Sequence, residues 1–112
     1  MGVNKVVKTQ RFIHNKTDQL SYYANALLDG EIQDSEVDLY CWDTIEEWSQ
    51  INAKEACLTP LESAFWYLLH QISFWSSSEI QTSEKLKNEM VSCISYLQGY
   101  GRFPDFCSGI RP

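Results

Sequence analysis

The amino-acid sequence predicts an all-α protein, a single domain organised like a four-helix bundle. Three observations support this class: apolar residues recur at helical spacing in four segments, caps or glycines bound these segments, and the connections are short. The 112 residues are enough for one hydrophobic core. Hydrophobic residues make up 44% of the chain and charged residues 21%, which excludes wholesale disorder.

The N-terminal part is predicted to be an arm, residues 1–16, that precedes a helical core over residues 17–98. Apolar residues of the arm fit either a short strand or a helical lead-in. Thr17 is a suitable N-cap for the first helix, residues 18–29, because apolar side chains follow it on one face. Gly30 comes next, where a left-handed residue would end the helix.

The second predicted helix covers residues 35–51, with Asp34 or Ser35 as its cap. Its inward-facing stripe consists of Val37, Tyr40, Cys41, Thr44, Ile45 and Trp48. Leu39 and Trp42 fall outside this stripe, among acidic residues. Helical geometry therefore predicts that both of these apolar side chains are exposed.

The third predicted helix has the clearest start signal. Thr59 is placed as the N-cap, Pro60 in the first turn and Glu62 at the capping-box position. Apolar and aromatic residues, Phe65 among them, surround this helix on nearly all sides, which predicts a central and buried element. We expect it to end within residues 76–78, a run of three serines.

The fourth predicted helix starts near Thr82 or Ser83 and ends at Gly99. Residues 99–112 contain three glycines and two prolines, so they are predicted to form an irregular tail. The side chains expected to hold this tail against the bundle are Phe103, Phe106 and Ile110.

Charge is distributed unevenly along the chain. The net charge is -6, which argues against a dedicated binder of nucleic acid or anionic membrane. Residues 1–17 carry four bases and no acid, whereas residues 29–62 carry ten acids and one base. No targeting signal is evident, and the longest apolar run, residues 64–69, is far shorter than the ~20 residues of a membrane span. We therefore expect a cytoplasmic protein.

The four cysteines do not follow a metal-binding pattern. Cys41, Cys57, Cys93 and Cys107 are separated by 16, 36 and 14 positions, without any CxxC pair. A secreted protein could pair them in three ways, but in a cytoplasmic one we expect reduced, structural thiols. We expect neither a metal nor a cofactor.

The two histidines give little support to catalysis. His14 lies among basic residues and is expected at the surface, whereas His70 is flanked by Trp66 and Phe74 at helical spacing. A packed histidine with one hydrogen bond is the simplest interpretation of His70. A small enzyme that uses His70 with Cys57, Cys93 or Cys107 is an alternative, although no nucleophile lies at helical spacing from this histidine.

The acidic stretch around Trp42 is the most informative feature for function. Asp38 and Glu46 lie one helical turn before and after Trp42, on its own flank. Tryptophan is enriched at binding hot spots, and acids around it would attract a basic partner. Alternatively, another helix or the basic arm covers Trp42.

Residues 27–37 resemble a pattern in small bacterial toxin-immunity proteins, namely the colicin D immunity proteins and the helical immunity proteins of contact-dependent inhibition. A helix ending in Leu-Leu is followed by Gly-x-Ile, three spacers, and then an acid and an apolar residue. Gly30, Ile32, Glu36 and Val37 match this spacing, although relatives often have Phe where this chain has Val37. The similarity covers about residues 20–48.

The resemblance implies a small acidic inhibitor that binds the basic nuclease or tRNase domain of a toxin and blocks its active site. Together with the charge pattern, it predicts a contacting set of Glu31, Asp34, Asp38, Trp42, Asp43 and Glu46. Such an inhibitor makes no covalent bond and acts as a monomer or weak homodimer. The main alternative is a helical adaptor whose many aromatic residues form a homodimer interface.

Overall fold

The structure, a computed structural model, describes residues 3–52 and 58–112, with side chains from residue 8 onward. Five helices follow one another: α1 (Val3–Leu28), α2 (Asp34–Ser49), α3 (Pro60–Phe74), α4 (Ser77–Thr82) and α5 (Glu84–Leu97). The described residues contain no strand, so the predicted all-α class is confirmed. None of the helices in this part of the chain is long and apolar enough to cross a bilayer.

From residue 3 onward the predicted N-terminal arm is helical, the second of its two expected forms, and it is part of α1, which runs from Val3 to Leu28 without a break. Thr17 is therefore not an N-cap. It is buried within the helix, and its hydroxyl donates to the Ile13 carbonyl at 2.6 Å. Such a bond one turn back lets a helix accommodate a threonine. Phe12 and Ile13 extend the buried face of the helix, so the core begins earlier than the sequence suggests.

Gly30 ends α1 as predicted. Its φ of +71° lies in the left-handed region, and the amides of Gly30 and Glu31 donate back to the carbonyls of Leu27 and Ala26. This pair of bonds is the Schellman arrangement that satisfies the last carbonyls of a helix. The chain then reverses into α2, where Gln33, not Asp34 or Ser35, occupies the N-cap position without a side-chain cap.

The predicted inward stripe of α2 is confirmed, since Val37, Tyr40, Cys41, Thr44 and Trp48 are buried and Ile45 is half-buried. It packs on α3, the central helix. There Thr59 accepts from the Glu62 amide at 3.1 Å, as the start signal predicts. Phe65 and Trp66 are fully buried, and Phe12 of α1 and Trp48 of α2 contact the Trp66 ring.

The serine run is not simply a break between two helices. Ser76 and Glu79 form a capping box that starts the six-residue α4, so the part of the chain that the structure describes has five helices where four were predicted. The Ile80 side chain attaches α4 to the core. Ser83 then caps α5 by accepting from the Leu86 amide at 3.2 Å, as predicted.

The tail is irregular, as predicted, and two of the three residues expected to hold it do so, since the rings of Phe103 and Phe106 contact Tyr96 of α5 and Tyr67 of α3. Cys107 is fully buried and forms a disulfide with Cys93 of α5, so the expectation of reduced thiols is wrong for this pair. Cys41 is free and buried. Cys57 lies outside the described residues. Ile110, expected to pack on the bundle, is 73% exposed.

Tail residues 107–109 lie directly on the backbone of α3. The Ser63 hydroxyl donates to the Cys107 carbonyl at 3.0 Å, and the Gly109 amide donates to the same hydroxyl at 3.2 Å. A Cβ on Gly109 would overlap backbone atoms of Ser63 and Tyr67, so only glycine allows this close approach.

Candidate functional site

All six residues of the predicted contacting set are exposed, and five of them lie on α2. We call this set the acidic face; it comprises Glu31, Asp34, Asp38, Trp42, Asp43 and Glu46. Trp42 is 70% exposed and Leu39 is 63% exposed, as helical spacing predicts. Among the described residues, neither α1 nor any other helix buries Trp42.

Helical periodicity organises the acidic face around one ridge. Asp34, Asp38, Trp42 and Glu46 follow each other at intervals of four residues, so they lie on one side of α2 in successive turns. Asp43 lies on the neighbouring edge, and Glu31 precedes the helix. The indole of Trp42 is therefore bordered by carboxylates in the turns before and after it.

One groove borders the ridge on the side of α3 and α4. It has a volume of about 220 Å³, and Asp34, Asp38, Phe74 and Glu79 are among its lining residues. Asp34 also has a structural role, because its carboxylate accepts from the Ser77 amide at 3.0 Å and so ties α2 to the start of α4.

Phe74 is a site residue that the sequence prediction missed. It lies at the last position of α3 and is 75% exposed, although the nearly all-round apolar pattern of this helix predicted burial. The serines at 76–78 could have indicated this exposure, because they mark the end of α3 and the last side chain of a helix can point into solvent.

A second groove, which we call the α1–α2 groove, borders the ridge on the opposite side. It has a volume of about 340 Å³. Its lining residues are Lys16, Gln19 and Tyr23 of α1, and Glu36, Leu39, Tyr40, Asp43, Thr44 and Glu47 of α2. Lys16 forms an ion pair with Glu47 where the two helices approach. The sequence predicted only Asp43 of these residues as a contact.

Two stacked tyrosines form part of the α1–α2 groove. The rings of Tyr23 and Tyr40 lie 4.1 Å apart and are nearly parallel, at 11°. Burial raises the pKa of Tyr40 well above its usual value, so this hydroxyl stays protonated. The buried Tyr40 hydroxyl lies near the Thr44 side chain, one turn further along α2, and within the described part of the chain no hydrogen bond of ordinary length satisfies it.

Two of the three cysteines considered as nucleophiles for His70, Cys93 and Cys107, are joined in a disulfide, and the third, Cys57, lies outside the described residues. Burial, and secondarily Asp38, raises the pKa of Cys41 to about 12, so this thiol is protonated at neutral pH. His14 is exposed, as expected. His70 is half-buried, with its Nε2 2.9 Å from the Ile110 carbonyl oxygen. Over residues 3–52 and 58–112, no three His, Cys, Asp or Glu residues converge as metal ligands.

Comparisons with protein-family models, with curated proteins and with solved structures find no match for this chain. The interpretation of the acidic face therefore rests on its geometry and charge. An exposed aromatic side chain that is bordered by negatively charged carboxylates is typical of a protein-binding surface.

Proposed function

We propose that this chain is a stoichiometric protein inhibitor that binds a basic protein domain on its acidic face, most specifically a toxin-immunity protein that blocks a nuclease or tRNase domain. The observation that carries the proposal is the 70% exposure of Trp42 on a helix whose neighbouring turns present Asp38 and Glu46. None of the side chains that the structure describes packs over this indole closely enough to bury it.

Charge and aromatic area contribute to binding in different ways. The segment of residues 29–62 concentrates ten acids, so its field attracts a cationic domain before contact. On contact, the partner buries the Trp42 indole, and this burial supplies a large share of the binding free energy, as is usual for a hot-spot residue. Carboxylates of the acidic face then occupy positions where a nuclease binds the phosphates of its substrate, and the active site is blocked without any covalent step.

Co-expression tests this proposal directly. The domain encoded immediately upstream in the native genome is expressed with and without this chain, and cell survival is scored. We expect death without the chain and survival with it. A fragment that is harmless, or that kills in both cases, would contradict immunity against that neighbour.

The Trp42→Ala variant tests the site. We expect it to keep its melting temperature and to weaken partner binding by about 2 kcal/mol or more, because the indole contacts the partner and not the core. Calorimetric titration measures the affinity. Tyr100→Ala is the matched control, since Tyr100 is also 70% exposed but lies in the tail. A large fall in the melting temperature of Trp42→Ala would show that Trp42 is a core residue.

A homodimerisation module is the second candidate. Leu39, Phe74 and Ile110 are large apolar side chains with more than half of their surface exposed, and a second copy could bury them. Light scattering distinguishes the two functions. An inhibitor is expected at the monomer mass, whereas a dimerisation module is expected at twice that mass with little dependence on salt.

A further inference from the structure

The tail, residues 99–112, lies along one side of α3. The α3 residues that it contacts follow one another at helical spacing over about two turns: Glu62, Ser63, Tyr67 and His70. The closest approach is at Gly109, which lies directly against the α3 backbone. Any opening of the tail would therefore expose this side of α3 to solvent.

A hinge connects the tail to α5. Gly99 and Gly101 have φ values of +92° and +78°, and a Cβ on either glycine would meet no described atom within 4 Å. Tyr100, between them, is 70% exposed. Because a few loop residues can absorb large changes in φ and ψ, the chain beyond these glycines can move while α5 stays in place.

The noncovalent contacts of the tail favour closure only moderately. Phe106 is 38% exposed and Ile110 is 73% exposed, whereas Cys107 is fully buried, so much of the apolar surface of the tail remains in contact with water. The ion pair of Arg111 with Glu62 replaces water that both groups would regain in an open tail. Its net contribution to closure is therefore smaller than the loss caused by removing one partner alone.

The disulfide between Cys93 and Cys107 is the covalent connection of the tail to the helices. The two cysteines are 14 positions apart. For a loop of about this size, loss of the cross-link raises the population of the open chain about a hundredfold, because the loop ends are no longer kept together. Since the other contacts favour closure only moderately, the state of this disulfide should decide whether the tail stays on α3.

We propose that the tail is a redox-controlled latch. The disulfide keeps it closed, and reduction by a dithiol releases it from the hinge onward and opens the side of α3 between Glu62 and His70. The five helices remain folded in the released state. This inference goes beyond the proposed function and does not depend on it, because it concerns the tail and α3 and not the acidic face.

The reductant is a protein dithiol or a small dithiol, and two electrons pass from it to the chain. One of its thiolates attacks the sulfur of Cys107, while the sulfur of Cys93 leaves with the bonding electron pair and takes up a proton. The second thiol of the reductant then displaces Cys107 from the mixed disulfide, so the reductant becomes a disulfide and the chain gains two thiols. Both cysteines are fully buried in the closed state, so attack requires that residues 108–112 first lift from α3.

Hydrogen exchange measured by NMR on the full isotopically labelled chain, before and after treatment with dithiothreitol, tests the latch. The Gly109 amide and the Trp66 indole N–H report on the tail, because Gly109 lies on α3 and the indole donates to Glu62, the partner of Arg111. We expect exchange of the Gly109 amide to accelerate by about a hundredfold on reduction, with faster exchange at Trp66. The indole of Trp75, bonded within α3 away from the tail, should not change.

The variant Cys93→Ala/Cys107→Ala is the matched control. Its reporters should exchange like those of the reduced chain and should not respond to dithiothreitol, which excludes an effect of the reductant elsewhere in the chain. Alkylation followed by mass spectrometry confirms that the disulfide has been reduced.

Three outcomes would overturn the latch. Unchanged exchange at Gly109 after reduction would mean that the noncovalent contacts alone keep the tail closed. Equal acceleration of the slowest amides of α2 and α5 would mean that the disulfide stabilises the whole fold and not the tail in particular. A disulfide that dithiothreitol reduces only in the presence of denaturant would mean that the tail does not open in the folded protein.

Discussion

Glu62 shows how one side chain connects distant parts of the chain. Its carboxylate accepts from the Trp66 indole at 3.0 Å and from two nitrogens of Arg111, at 2.6 and 3.0 Å. The Arg111 guanidinium also lies 5.4 Å from the centre of the Trp48 ring. The side chain of Glu62 is only 4% exposed, so these partners replace the water that a buried carboxylate loses.

Arg111→Ala is expected to lower the free energy of unfolding by about 3 kcal/mol, because it leaves the Glu62 carboxylate buried without its cation. Urea denaturation measures this change. Arg102→Ala is the matched control, since Arg102 is an exposed arginine of the same tail and should be nearly neutral. A comparable loss in the control, or no loss at Arg111, would mean that the ion pair does not stabilise the fold.

Of the capping box predicted at Thr59 and Glu62, the Thr59 half forms, but the Glu62 carboxylate bonds to Trp66 and Arg111 instead of to the N-cap amide. A capping box is a local pattern and is visible within four residues. Arg111 lies 49 positions away, and nothing in the periodicity of either segment indicates this pairing. The exposure of Trp42 was predictable for the opposite reason, because it depends only on the 3.6-residue period of one helix.

At the scale of the helices, the predictions succeeded where a cap and an apolar stripe agreed. Gly30, Thr59, Ser83 and Gly99 all bound helices as predicted. The error at Thr17 arose because threonine favours an N-cap in general, yet here its hydroxyl bonds to the carbonyl of Ile13 within a continuous helix. Packing of Phe12 against Trp48 and Trp66 favours this longer α1.

Phe65→Ala is expected to cost about 3–5 kcal/mol, because the fully buried ring lies at the centre of the bundle and its removal leaves a cavity. Thermal and urea denaturation measure this loss. Phe74→Ala is the control within the same helix, since Phe74 is 75% exposed and its truncation should be nearly neutral. Similar losses for both variants would contradict the assigned orientation of α3.

At the scale of the whole molecule, the tail makes long-range contacts that the sequence did not predict, among them the disulfide to α5. Cys93 and Cys107 are 14 positions apart, and their pairing depends on the path of residues 99–107 past α5. The α1–α2 groove likewise depends on how two helices cross, so Tyr23 and Tyr40 could not be assigned to one surface from periodicity alone. The charge asymmetry, in contrast, follows from the order of the charged residues along the chain and was evident from the sequence.

That asymmetry predicts how the location of charge affects association. A fluorescein-labelled octa-arginine peptide serves as a model of a basic partner. The double variant Asp38→Lys/Glu46→Lys should slow association with this peptide by about tenfold or more, because it reverses the field beside Trp42. The control Glu84→Lys/Asp105→Lys changes the net charge by the same amount at two exposed positions outside the acidic face and should slow association much less. Stopped-flow fluorescence measures both rates, with the difference shrinking as salt shortens the Debye length. Equal slowing of the two variants would show that net charge alone governs association and that the acidic face has no special part in it.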